Sequence, residues 1–210
     1  LSKQKLLDVQ LLESLEQHEI TDFTELEQVC IPKLKSGHDL LCIAGNGSGK
    51  SLTLVISVLQ QLKKPQGDNP RAVIVVPDTE RALAMKETFQ LLGRYAELRV
   101  RTACENEKID DQKDRIYMGS DVVIGTPKRL IQIYKLYSLN LSSVKLFAVD
   151  DAEEVIKSSN ITQMVRLSNG PTKTQHVVFA GKMTEWIERF AEETMNVEEV
   201  IEFDDELETE

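Results

Sequence analysis

Residues Leu40–Leu54 read LLCIAGNGSGKSLTL. The apolar run Leu40, Leu41, Cys42, Ile43 and Ala44 has the composition of a buried strand. Gly45, Asn46, Gly47, Ser48, Gly49, Lys50 and Ser51 follow, and Leu52, Val55, Ile56, Leu59 and Leu62 then recur at helical spacing. A strand, a glycine-rich loop, Lys-Ser and a helix, in that order, form a phosphate-binding loop. The glycines let backbone N–H groups converge on an anion without Cβ interference. The helix opening near Gly49 adds the positive end of its dipole. In this setting Lys50 is placed for the β- and γ-phosphates of a nucleotide, and the Ser51 hydroxyl for Mg²⁺. Ala44 takes the first position of the signature, where a glycine is usual, as another small residue.

Outward from this stretch the chain alternates. Strands are expected at Ala72–Val76, Leu98–Ala103, Val122–Gly125, Val144–Val149, Gln175–Ala180 and Val200–Phe203. Helices are expected over 3–16, from Thr24 through Leu34, over Glu80–Leu92, within 105–118, from Pro127 through Tyr134, from Ala152, over Ile161–Leu167 and over Glu185–Met195. Thr24 stands three residues before Glu27, a capping box. The apolar runs are continuous, as in strands covered on both faces. The expected fold is α/β: a doubly wound, mostly parallel sheet with helices on both faces. Such sheets bind ligands at the carboxyl ends of their strands. The loop at Gly45–Ser51, Pro77-Asp78-Thr79, Thr126-Pro127 and Asp150-Asp151 all fall at such ends. One domain is expected over residues 1–203, with 1–36 as a helical lead-in and 204–210 as an acidic tail or linker.

The net charge of −10 argues against a general nucleic-acid binder, although much of the acid lies in the tail from Val197 onward. No apolar run approaches the roughly 18 residues that span a bilayer, so no membrane partner is expected. The chain opens LSKQKLLDVQ, without an initiator Met or a signal-peptide plan, and is expected to be a trimmed chain or a cut-out. Cys30, Cys42 and Cys104 show neither a disulfide framework nor zinc spacing, which points to a reducing compartment and a cytoplasmic location. His18, His38 and His176 show no metal-ligand spacing.

Asp150 ends the apolar run VKLFAV about a hundred residues after Lys50, the usual presentation of a Mg²⁺-holding aspartate in phosphate-binding-loop enzymes. Asp151 is then available to orient or deprotonate water, although paired acids also start helices favourably.

In this arrangement the chain resembles the first RecA-like domain of DEAD-box RNA helicases, superfamily 2. AGNGSGKS at Ala44–Ser51 is similar to that family's first motif, PDTERA at Pro77–Ala82 to its PTRELA, TPKRL at Thr126–Leu130 to its TPGRL, VDDAEEV at Val149–Val155 to its D-E-A-D, and FAGKM at Phe179–Met183 to its F-S-A-T-M. The resemblance runs from about Ile20 to Phe203. It implies ATP and Mg²⁺ as cofactors, and a second RecA-like domain that completes the site. It also implies RNA held through its backbone by Pro77, Thr79, Thr126, Lys128 and Arg129. It places Glu27 where the family reads adenine with Gln, and Ala180, Gly181 and Lys182 where Ser-Ala-Thr couples nucleotide state to strand separation.

The departures bear on activity. A carboxylate at Glu27 cannot donate to adenine N7. Asp151 replaces the catalytic Glu with one CH₂ less reach, and a displacement of about 1 Å can cost on the order of 10²-fold in rate. The coupling hydroxyls are gone, and Lys182 is expected instead to tie the strand end to Asp150, Asp151 or Glu153 by charge. Two functions follow: the amino-terminal domain of an RNA-dependent ATPase and helicase, or a nucleotide- and RNA-binding module whose hydrolysis has decayed. A DNA translocase is a third, disfavoured by TPKRL.

Overall fold

The computed structural model describes residues 6–170, 173–197 and 200–203; the acidic tail expected at 204–210 lies outside them. Seven strands form one sheet: β1 (Leu40–Ile43), β2 (Ala72–Val75), β3 (Val100–Ala103), β4 (Val122–Gly125), β5 (Leu146–Val149), β6 (Gln175–Ala180) and β7 (Ile201–Glu202). Their order is β3-β4-β2-β5-β6-β1-β7, and every pairing is parallel. The "mostly parallel" expectation is therefore met by an all-parallel sheet.

Nine α-helices are described: α1 (Val9–Gln17), α2 (Glu25–Lys35), α3 (Lys50–Leu62), α4 (Thr79–Leu92), α5 (Ile109–Tyr117), α6 (Pro127–Lys135), α7 (Ala152–Val155), α8 (Ile161–Ser168) and α9 (Glu185–Thr194). Successive strand residues point to opposite faces, so the sheet feeds two cores. Cys42, Ile74, Ile124, Ala148 and Phe179 pack with α1 to α4. Leu41, Val75, Val123, Phe147 and Val178 pack with α5 to α9. That double covering is why the strands read as unbroken apolar runs.

Local chemistry sets the helix starts near the site. The Thr24 hydroxyl accepts from the Glu27 amide, and the Glu27 carboxylate accepts from the Thr24 amide, so the capping box of α2 is formed. Asp78 caps α4 by accepting from the Arg81 amide, and Thr126 caps α6, whose first residue is Pro127. All six strands β1 to β6 point their carboxyl ends to one edge of the sheet.

Candidate nucleotide site at the carboxyl edge

The loop after β1 turns into α3 through Gly49, which is left-handed at φ 98°. A Cβ there would also meet the Glu27 carboxylate at 3.0 Å and the Thr24 hydroxyl at 3.1 Å, so glycine is required twice over. The Thr24 hydroxyl donates to the Ser48 carbonyl at 2.9 Å. The capping box of α2 is thereby also the buttress of the phosphate loop. Glu27 is 2% exposed, with its carboxylate committed to the Thr24 amide and packed against Gly49. In this geometry Glu27 Oε2 serves the cap of α2 beside the phosphate loop.

Lys50 is folded back into its own loop. Its ammonium donates to the Ala44 carbonyl at 2.5 Å and the Gly45 carbonyl at 2.6 Å, and the residue is 6% exposed. Ser48 closes the turn by donating from its hydroxyl to the Gly45 carbonyl. These oxygens hold the lysine where a phosphate would compete for it.

Ser51 and Asp150, 99 residues apart, meet: the Ser51 hydroxyl donates to Asp150 Oδ2 at 2.5 Å. Asp150 Oδ1 is buried and accepts from no described group. Burial pushes the Asp150 carboxyl up to about 6; the Ser51 bond opposes this and the neighbouring Asp151 charge reinforces it. A hydroxyl and a carboxylate with a spare buried oxygen are hard donors that fit Mg²⁺, which takes few protein ligands and completes its shell with water and phosphate. Among the described residues no group of three or more His, Cys, Asp or Glu forms a fuller metal cage.

Asp151 sits at φ 50°, ψ 52°, a left-handed conformation that costs a non-glycine residue on the order of 1–3 kcal/mol. The turn directs its carboxylate towards α4, where Arg81 Nε lies 3.6 Å away. Arg81 is thus the cation at this acid, a pairing that the offset between PDTERA and PTRELA obscured.

At the coupling segment the charge tie expected of Lys182 is not formed. Lys182 is exposed, and among the described residues it makes no ion pair within 4.0 Å. The tie between the ends of β6 and β5 runs instead from the Gly181 amide to Glu153 Oε1 at 2.9 Å. A Cβ at Gly181 would stand 2.6 Å from that oxygen, so glycine lets the Glu153 carboxylate approach without shifting. Ala180 is buried in the sheet.

Next to this edge lies a groove of about 590 Å³ lined by Pro77, Thr79, Thr126 and Lys128. Lys128 is exposed. Arg129 is 8% exposed; its Nη1 donates to the Glu107 carbonyl at 2.9 Å and to Gln112 Oε1 at 2.7 Å. Arg129 is not among the residues that line the groove: its side chain braces α5 from inside. The Thr126 hydroxyl donates to the Glu105 carboxylate at 2.7 Å, so an internal anion holds the donor expected to meet a phosphate. Glu105 went unrecognised in the sequence, although it stands just past the end of β3.

Comparison with known proteins agrees with this fold. A model of the DEAD/DEAH box helicase family matches residues 24–190. The chain belongs to that family. It is 30% identical over 173 residues to the ATP-dependent RNA helicase DeaD of Haemophilus influenzae, covering 81% of this chain and 28% of that protein. Over 193 residues it is 27% identical to the ATP-dependent RNA helicase DbpA of Bacillus subtilis, covering 91% and 40%. A DEAD box protein from Methanococcus jannaschii shares the fold with a TM-score of 0.84 at 22% identity, covering 93% of this chain and 54% of that one. The yeast DEAD-box splicing factor Prp28 does so with 0.83 at 23%, covering 93% and 49%. The chain thus spans about a quarter to a half of the length of these relatives.

Proposed function

We propose that this chain is the amino-terminal, ATP-binding unit (residues 1–203) of an ATP-dependent RNA helicase whose second RecA-like domain completes the site. One observation carries the reading: Lys50, Ser51 and Asp150 converge at one sheet edge, with Asp150 Oδ1 left spare. Bound Mg²⁺–ATP supplies the reactive γ-phosphoryl group. The backbone amides of Gly45–Ser51 would cradle its phosphates, and Lys50 would leave two carbonyl oxygens for phosphate oxygens. Ser51 and Asp150 would hold Mg²⁺, and Asp151 would be the group to take a proton from water. RNA lies by its phosphates along Pro77, Thr79, Thr126 and Lys128, with Thr126 exchanging Glu105 for a phosphate. Free, buried Cys30, Cys42 and Cys104 support a reducing, cytoplasmic setting. Among the described residues no helix is long and apolar enough to cross a membrane.

RNA-stimulated ATP hydrolysis by the full-length protein, abolished by Lys50→Ala, is the expected result; ATP turnover indifferent to Lys50→Ala would contradict it. A second reading, a binding module without turnover, is favoured by one observation: the short carboxylate of Asp151 is held in a left-handed turn and faces Arg81. Nucleotide binding with no hydrolysis in the full-length protein, restored in part by Asp151→Glu, would select it.

A further inference from the structure

Helix α6 ends in a Schellman arrangement: the Ser138 amide donates to the Ile133 carbonyl and the Tyr137 amide to the Tyr134 carbonyl. The residue at the turn must be left-handed, and glycine is usual there. Here it is Tyr137, at φ 56°, with 96% of its surface exposed. A large ring in a conformation unfavourable to it, packed against nothing, is a feature that stability does not explain.

Tyr137 stands at the mouth of a cleft of about 590 Å³ between α6 and α8. Tyr134, Lys135 and Arg166 line it with Gln163, and no acidic residue does so among the described ones. Neither Lys135 nor Arg166 has an ion-pair partner within 4.0 Å among the described residues, in a chain of net charge −10. The cleft shares Ile131, Lys135 and Gln163 with the groove that holds Thr126 and Lys128. That groove carries carboxylates at Asp78, Glu105 and Glu154, whereas the cleft beside it combines two cations and two aromatic rings with neutral residues and no carboxylate.

Resting on the RNA reading above, we infer that the α6–α8 cleft is a second RNA contact, in which Tyr137 stacks on an unpaired base and Lys135 and Arg166 meet the flanking phosphates. Exposed aromatic rings beside unpaired cations form a stacking platform that takes any base, because every base has a π-face. Charge complementarity selects a polyanion, and continuity with the phosphate groove selects the same strand of RNA. Binding there adds a grip on the same RNA outside the carboxylate-lined groove, where Glu105 competes for Thr126.

The test uses the full-length protein with a fluorescein-labelled oligouridylate of about 20 nucleotides and an abasic phosphodiester oligomer of equal length. Tyr137→Gly is expected to weaken the oligouridylate about tenfold, one base stack being worth on the order of 1–3 kcal/mol, and to leave the abasic oligomer unchanged. Its melting temperature should hold or rise by about 2 °C, since glycine relieves the turn. Arg166→Gln should reduce the slope of log affinity against log salt by about 0.7, the share of one phosphate on a single strand. Lys128→Ala should weaken both oligomers. An unchanged oligouridylate affinity in Tyr137→Gly, with Lys128→Ala still weakened, would overturn the cleft and leave the RNA reading standing. A falling melting temperature would make Tyr137 a packing residue and would overturn it too. Binding of neither oligomer by the wild type would overturn both readings.

Discussion

Two buried aspartates flank the central strand β2 from opposite ends of the sheet, and their surroundings differ in kind. Asp121, at the amino end of β4, is fully buried; its carboxylate accepts from Arg71, from the Arg99 guanidinium and amide, and from the Gln66 amide. Asp150, at the carboxyl end of β5, accepts one hydroxyl bond and keeps one oxygen free of described partners. Burial pushes both upward. At Asp121 the Arg99 bonds, the Gln66 amide and Arg71 outweigh burial and hold the carboxyl at about 2. At Asp150 burial wins and the carboxyl rises to about 6. The amino edge has its valences closed and stabilises the sheet. The carboxyl edge is left with spare valence, which a cation and phosphates can use.

The largest effect should come from breaking the closed end. Asp121→Ala leaves the buried Arg71 without its carboxylate and Arg99 with only the exposed Asp68, and should cost on the order of 3–5 kcal/mol in urea unfolding. Asp150→Asn should be neutral or stabilising in the same assay, because it removes a buried charge beside Asp151. Equal losses from the two changes would erase the contrast.

Next in size is the pH dependence at the open end. The carboxyl of Asp150 is raised in the fold from 3.8 to about 6, so the folded state binds the extra proton across that window. Its contribution therefore falls as pH rises from 3.8 to about 6, by about 3 kcal/mol. Asp121 acts with the opposite sign: lowered from 3.8 to about 2, it stabilises above 3.8, and about 2 kcal/mol is lost as pH falls through about 2. Urea unfolding across pH should show both limbs, and Asp150→Asn should flatten only the upper one. A smaller loss, about 1 kcal/mol, is expected from Thr24→Ala, which removes the cap of α2. Because the same hydroxyl holds the Ser48 carbonyl, this variant should also weaken nucleotide binding. A stability loss without an affinity loss would confine Thr24 to its helix.

What the sequence disclosed follows the range of the interactions. The phosphate loop and the Thr24–Glu27 capping box are local, and both were legible. The face-covering helices were legible because Ala72–Val75 and Leu146–Val149 carry no polar alternation. Asp150 could be singled out because a strand end is itself a local signal. The Arg71–Asp121–Arg99 cluster was not, since its partners are 50 and 22 residues apart and meet only once β2, β3 and β4 align. Arg129 looked like a surface cation because its partner Gln112 comes from another helix. At β6 the charge of Lys182 drew attention, whereas the adjoining Gly181 makes the contact through a backbone amide that no side-chain pattern announces.

The most direct test of the open carboxyl edge is calorimetric titration of ATP into the wild type and Lys50→Ala, each with and without Mg²⁺. Wild-type binding should depend on Mg²⁺, and Lys50→Ala should lose most of it while unfolding at the same urea concentration. Equal affinity in the two proteins, or wild-type binding indifferent to Mg²⁺, would contradict a site built from Lys50, Ser51 and Asp150.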